Sequence, residues 1–149
     1  MNNDKNFTVV IPNAVLTVGA LCALMSSAVL VAFTFLSNET PHVIFYVVFG
    51  LFFWLGVYLI VKTLTFKVVV KGEQITAFSA FRKPYTFTFS EIVSAARQVK
   101  KNQMKSERIV IKTLSGKRLI VESSEISYKK FAKRIQQEVE KQYLNGFDL

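Results

Sequence analysis

Two long apolar stretches, separated by a short polar segment, dominate the first half of the chain. Residues 14–36 and 43–61, which are 23 and 19 residues long, contain no charged side chain. At about 1.5 Å per helical residue, each stretch reaches across roughly 30 Å of bilayer hydrocarbon. The pattern therefore predicts a membrane α-helical hairpin of two transmembrane helices, at about residues 12–36 and 43–61.

After residue 62 the apolar positions alternate with polar ones, which is the period of a β-strand. The clearest run has Tyr85, Phe87 and Phe89 on one face, with Thr86 and Thr88 on the other. Six strands are predicted from such runs, at residues 66–71, 75–81, 85–89, 92–99, 109–111 and 119–121.

The period changes again near the C-terminus. Tyr128, Phe131, Ile135 and Val139 recur at spacings of three and four, which predicts an amphipathic helix running to about residue 142. Ser127 is a suitable N-cap residue for this helix. Strands followed by one covering helix predict a small α+β, mainly-β domain at residues 63–149, after a hairpin at residues 1–62.

Charge separates the two parts of the chain. From residue 62 onward there are 18 of the 19 basic residues and 8 of the 10 acidic ones, a net charge of +10. A domain with this charge is attracted to anionic surfaces. Because the hairpin already holds it at a bilayer, anionic lipid is a simpler partner than nucleic acid. Nucleic acid is unlikely also because the aromatic residues occupy core-facing strand positions.

Basic residues near the predicted spans indicate their orientation. The segment between the spans, residues 37–42, has no Lys or Arg, whereas Lys62, Lys67 and Lys71 follow the second span. Because basic residues concentrate on the cytoplasmic side, we expect a multi-pass protein of the cell membrane with both termini cytoplasmic. A cleaved signal peptide is the less favoured alternative, since the first apolar run is longer than a typical signal core.

The first span carries a row of small residues. Gly19, Ala23 and Ser27 recur at a four-residue spacing, which allows close helix approach in lipid. This candidate helix-packing face either receives the second helix of the same chain, which we favour, or forms a homo-oligomer. Neither span contains Asp, Glu, Lys, Arg or His, and this argues against a transporter or channel.

Candidate chemistry is sparse. His42 is the single histidine, and Cys22, the single cysteine, cannot form an intrachain disulfide. Neither belongs to a metal-ligand spacing, and no nucleophile motif, phosphate-binding loop or pair of catalytic carboxylates can be assembled. We therefore expect a protein that is not an enzyme and has no cofactor, metal or catalytic residue.

Several short segments carry a family resemblance. These are Lys71–Thr76, Phe89–Ile92, Leu114–Lys117 and the helix around Phe131. In order and spacing they resemble bacterial pleckstrin-homology-like (PH-like) domains of small membrane proteins. The resemblance implies a barrel-like roll capped by a C-terminal helix, in proteins mostly of unknown role. The full roll has seven strands, whereas six are predicted here, so one is hidden near residues 100–107 or the roll is reduced.

Basic residues of the domain form a candidate patch for anionic lipid or a protein partner. Its members are Arg82, Lys83, Arg97, Lys100, Lys101 and Lys105. Each Lys or Arg near an anionic leaflet contributes about 1 kcal/mol. The alternative is that these side chains only keep a small sheet domain soluble.

The expected function is that of a non-enzymatic integral membrane protein. The hairpin would hold a basic cytoplasmic PH-like domain as an adaptor for a protein partner or for the anionic inner leaflet. The alternative is a small accessory or immunity-like subunit that acts through its transmembrane hairpin within a larger membrane complex.

Overall fold

The chain folds into two compact units. The computed structural model describes residues 5–36, 42–80, 82–100 and 106–147. The helical unit is Pro12–Thr65, and the sheet unit combines Met1–Ile11 with Phe66–Leu149. The chain thus leaves the sheet unit at Ile11 and returns to it at Phe66, so the helical unit is inserted between two parts of the sheet unit.

The helical unit consists of α1 (Asn13–Phe35) and α2 (Val43–Thr65), both long and apolar enough to cross a membrane. The two helices approach closely at glycine. A Cβ atom added to Gly56 would lie 2.7 Å from both the Ala23 nitrogen and the Gly19 oxygen. Only residues without a side chain at this point permit such backbone contact.

Four antiparallel strands form the first sheet, in the order β1-β2-β3-β4. They are β1 (Asn6–Val10), β2 (Lys67–Lys71), β3 (Gln74–Ser79) and β4 (Arg82–Thr88). The β1–β2 register pairs Asn6 with Lys71 and Val10 with Lys67. Alternate residues such as Val9 and Val68 are fully buried, as expected for a sheet with one face on the core.

Strand β1 was not predicted, and it corrects the proposed domain boundary. We assigned the first 62 residues to the hairpin, but Asn6–Val10 belongs to the sheet. This N-terminal strand was not among the six predicted, and the suggestion of a further strand near residues 100–107 falls mainly on residues 101–105, which lie outside the described residues. A five-residue strand placed immediately before a long apolar helix lacks a separate periodic signal.

The second sheet has the order β7-β6-β5-β8. Its members are β5 (Ile92–Lys100), β6 (Ser106–Thr113), β7 (Arg118–Glu122) and the short β8 (Leu144–Asn145), which is parallel to β5. Single turns of 3-10 helix occur at Phe89–Glu91 and Lys141–Tyr143. All six predicted strands are thus present, with β1 and β8 in addition.

Helix α3 (Tyr128–Glu138) buries Phe131 and Ile135 in the core between the sheets. Two details of its prediction were wrong. The helix ends at Glu138 rather than near residue 142, and the chain then forms β8. Ser127 does precede the helix, but it adopts a left-handed conformation (φ 69°) and its side chain makes no capping hydrogen bond.

The burial of β1 makes a mutational prediction. Val9→Ala should lower the free energy of unfolding of the sheet unit by about 2 kcal/mol, because buried methyl groups are lost. Thr8→Ala is the matched control, since Thr8 is exposed on the same strand. Thermal unfolding in detergent and hydrogen exchange of the β2 amides would measure both. Equal effects of the two substitutions would contradict a structural role for β1.

The glycine contact in the helical unit makes a second prediction. Gly56→Ala should destabilise the hairpin by roughly 1–3 kcal/mol, because the new methyl group overlaps the α1 backbone. Gly50→Ala should be neutral or stabilising, since no atom lies within 4 Å of the added Cβ and alanine is the better helix former. Resistance to proteolysis in detergent would rank the variants, and the opposite order would refute the contact.

Candidate anionic-surface site

A cleft lined by basic residues lies between two hairpin turns of the sheet unit. It is an open hollow of about 420 Å³, where the start of β4 meets the β6–β7 turn. Its charged members are Arg82, Lys83, Lys117 and Arg118. We call this group the basic cleft.

Turn geometry places these side chains. Ser79 pairs with Arg82 across the β3–β4 turn. On the other side, Gly116 has φ 73°, a left-handed conformation that glycine adopts without a steric penalty. The Lys117 backbone N–H donates to the Thr113 hydroxyl at 3.2 Å, which tightens the same turn. The two turns therefore present their cations from defined backbone positions.

Tyr85 joins the two turns inside the basic cleft. Its hydroxyl donates to the Arg118 carbonyl at 3.1 Å, and the Lys117 ammonium lies 5.1 Å from its ring centroid. Burial raises the pKa of the Tyr85 phenol above its ordinary value, and the charge of Arg82 opposes this. The phenol therefore remains a neutral donor and keeps the turns together.

The cations of the basic cleft are not neutralised by any acidic residue that the structure describes. Within the part of the chain that the structure describes, none of the four forms an ion pair. Like charges held together without acids create a positive potential that an anion lowers. The arrangement fits phosphate or carboxylate groups, whereas proton transfer or nucleophilic chemistry would need other groups.

The β6–β7 turn, which carries Lys117, also carries an exposed leucine. Leu114, at the start of the β6–β7 turn, is 71% exposed. The Leu114 backbone N–H donates to the Glu91 carbonyl at 2.9 Å, and this hydrogen bond holds the Leu114 backbone in place. The turn thus combines an exposed apolar side chain with the cation of Lys117.

The basic cleft begins at a particular end of the first sheet. In the register of the first sheet, Val10 of β1 pairs with Lys67 of β2, and Lys67 pairs in turn with Phe78 of β3. The turn that follows β3 leads to Arg82. The chain runs from Val10 into α1 after two residues, and it reaches Lys67 from α2 after one. Arg82 therefore lies at the end of the sheet from which the chain continues into both long helices.

The structure separates the members of the predicted patch. Arg82 and Lys83 line the basic cleft, but Arg97 forms an ion pair, with its Nη2 2.7 Å from Glu107 Oε2. This hydrogen bond to Glu107 raises the pKa of Arg97, although burial opposes it. Lys101, Lys105 and the side chain of Lys100 lie outside the described residues.

Sequence reasoning missed Lys117, Arg118 and Leu114 as members of a site. The turn at residues 114–117 was recognised, but nothing local indicated that it would meet the β3–β4 turn. Alternation within β7 could have shown that Arg118 and Leu119 point to opposite faces. That signal would not have identified the neighbouring strand.

The small-residue face of α1 is directed toward α2 at two of its three positions. Gly19 and Ala23 both contact the region of Gly56. Ser27 is half-buried, and its hydroxyl donates to the Leu24 carbonyl of its own helix at 2.9 Å.

Comparison with known proteins gives a family but no activity. A model of a family of unknown function, DUF6560, matches residues 2–142, so the chain belongs to this family. No curated protein and no solved structure matches the chain. The family description does not name a PH-like domain, so that resemblance stays a proposal, as does the function.

The position of Arg97 makes a prediction that separates it from the cleft residues. Arg97→Gln should lower the free energy of unfolding by roughly 1.5–3 kcal/mol, because it removes charge-assisted hydrogen bonds to a half-buried carboxylate. Gln98→Ala, on the same strand, is the control: it removes only an exposed hydrogen bond from Arg108 Nε at 2.9 Å, so it should cost clearly less. Chemical unfolding in detergent would measure both, and an unaffected Arg97→Gln variant would contradict the structural role.

Proposed function

We propose that this chain is a non-enzymatic integral membrane adaptor that docks a PH-like domain on the anionic cytoplasmic leaflet. In this proposal α1 and α2 cross the membrane and both chain termini are cytoplasmic. The basic cleft and Leu114 form the leaflet-binding surface. The observation that carries the proposal is the group of four cations in the basic cleft, which form no ion pair with any described residue and which begin, at Arg82, at the end of the sheet that continues into the helices.

The pairing of β1 with β2 supports a hairpin that crosses the membrane twice. Residues on both sides of the two helices belong to one hydrogen-bonded sheet, so both must lie on the same side of any membrane. It also weighs against a cleaved signal peptide, since cleavage after α1 would remove β1 from the core. The lysines after α2 and the lack of basic residues between the spans favour the cytoplasmic side.

The composition of the docking surface supports lipid as the anion. Four cations at about 1 kcal/mol each, together with partial burial of one leucine, amount to weak, salt-sensitive docking. Weak docking is sufficient here because the spans already hold the domain at the bilayer, where its effective concentration is high. Docking would therefore orient the domain rather than recruit it.

The strand order supports the PH-like assignment. Among the described residues, seven strands precede helix α3 once β1 is counted, which is the number that the resemblance implies. The spans are then an insertion between the first two strands of the roll. The hairpin-centred alternative has less support, because Gly19 and Ala23 contact α2 and are not free for a larger complex.

The leaflet proposal can be tested on the full chain in nanodiscs. Ser115→Cys, in a Cys22→Ala background, would carry an environment-sensitive dye at the β6–β7 turn. We expect blue-shifted emission in nanodiscs that contain phosphatidylglycerol, but not in pure phosphatidylcholine, and reversal of the shift by salt. Removing two charges with Arg82→Gln and Lys117→Gln should weaken docking by roughly thirtyfold, at about 1 kcal/mol per charge.

A double variant elsewhere provides the matched control. Lys129→Gln with Lys133→Gln removes the same charge from α3 and should leave the emission shift unchanged. Identical emission in neutral and anionic nanodiscs would refute leaflet docking. Equal losses in the two double variants would show that net charge, rather than the basic cleft, is responsible.

A further inference from the structure

A second hollow of the sheet unit lies beside α3, away from the basic cleft residues. This groove, which we call the α3 groove, has a volume of about 590 Å³. Its polar members are Arg97, Glu107, Ser123, Tyr128, Lys129, Lys133 and Gln136, and its apolar members are Ala132 and Phe147. It shares no residue with the basic cleft.

The walls of the α3 groove are fixed by tertiary contacts. The Glu107 backbone N–H donates to Ser123 Oγ at 3.0 Å, and its carboxylate holds Arg97. Gln136 Nε2 donates to the Phe147 carbonyl at 3.3 Å, and the Phe147 side chain is buried. A groove with walls held in this way is preformed, and a ligand loses less free energy in ordering it.

A glycine lets the C-terminal segment close one side of the α3 groove. Gly146 has φ 72°, and a Cβ atom there would lie 2.6 Å from the Arg97 oxygen. The backbone can therefore pass this close only without a side chain. The approach places Phe147 where it contributes an apolar surface next to the charged residues.

The charge of the α3 groove is positive and available. Arg97 is neutralised by Glu107, but Lys129 and Lys133 are exposed and have no ion pair with any residue that the structure describes. Lys133 also lines an adjoining hollow of about 300 Å³, together with Lys130, Arg134 and Gln137. The positive surface thus continues along α3.

A buried donor lies beside the ion pair. Tyr128 is 5% exposed, and its hydroxyl oxygen is enclosed beside Arg97 and Glu107. Burial raises the pKa of the phenol and the charge of Glu107 adds to this, whereas the charge of Arg97 and a hydrogen bond with it oppose the rise. The phenol therefore stays protonated at neutral pH and forms part of the fixed wall of the groove.

We propose that the α3 groove binds an extended acidic peptide segment of a protein partner, with carboxylates on Lys129 and Lys133 and an apolar side chain on Ala132 and Phe147. From Lys129 to Gln137 the helix rises about 12 Å, the length of about four extended residues. Cations beside the apolar side chains of Ala132 and Phe147 match a peptide in which acidic and apolar side chains alternate. This surface would supply the second partner of a leaflet-docked adaptor.

Binding can be measured with the full chain in phosphatidylcholine nanodiscs. The probe is a fluorescein-labelled peptide that alternates glutamate with leucine, compared with one that alternates glutamine with leucine. We expect salt-sensitive binding of the glutamate peptide alone, by fluorescence anisotropy. Lys129→Gln with Lys133→Gln should weaken it about tenfold.

Two double variants serve as controls. They distinguish binding in the α3 groove from nonspecific electrostatic attraction of the peptide and from binding at the basic cleft. Lys112→Gln with Lys141→Gln removes two exposed charges elsewhere and should leave peptide affinity unchanged. Arg82→Gln with Lys117→Gln should lose leaflet docking but keep peptide binding, so the two proposals fail separately.

Three results would overturn the proposal. The first is equal affinity for the glutamate and glutamine peptides. The second is equal weakening by the control pair and the Lys129–Lys133 pair. The third is that the Lys129–Lys133 pair affects the lipid-dependent emission shift instead of peptide binding, which would make α3 a lipid surface.

Discussion

The antiparallel pairing of β1 with β2 is the contact on which the arrangement of this chain depends. Five residue pairs form the ladder, and at its end the Gly72 backbone N–H is held by the Lys5 carbonyl at 3.2 Å and by Asn6 Oδ1 at 3.0 Å. The helical unit therefore lies within what is otherwise the connection between adjacent strands. Because the strands are hydrogen-bonded neighbours, the hairpin must begin and end at nearly the same place.

That constraint explains why the helices are paired so tightly. A long insertion between adjacent strands costs closure entropy unless its ends are held together. Gly56 allows α2 to approach Gly19 and Ala23 at backbone distance, so the hairpin closes itself. Both the close helix pair in one unit and the β1–β2 ladder in the other bring the two ends of the inserted segment close together.

Within the sheet unit, some basic residues form ion pairs with an acidic neighbour and others do not. Arg97 is neutralised by Glu107 and Arg134 by Glu138, and both then serve the structure. Arg82, Lys83, Lys117 and Arg118 have no such partner in the described chain, and neither do Lys129 and Lys133. The two groups line separate hollows of the sheet unit, as the two proposed binding surfaces require.

Local patterns were sufficient to locate both long helices, six strands and the core face of α3. Hydrophobic periodicity is a property of each segment alone, so the alternation of Tyr85, Phe87 and Phe89 is sufficient to predict a strand. The pattern could not show that Asn6–Val10 pairs across an insertion of more than fifty residues. It also could not show that Arg97 would meet Glu107 or that Lys117 would meet Tyr85. Those contacts join residues distant in the chain, and their free energy exists only once the sheets have closed.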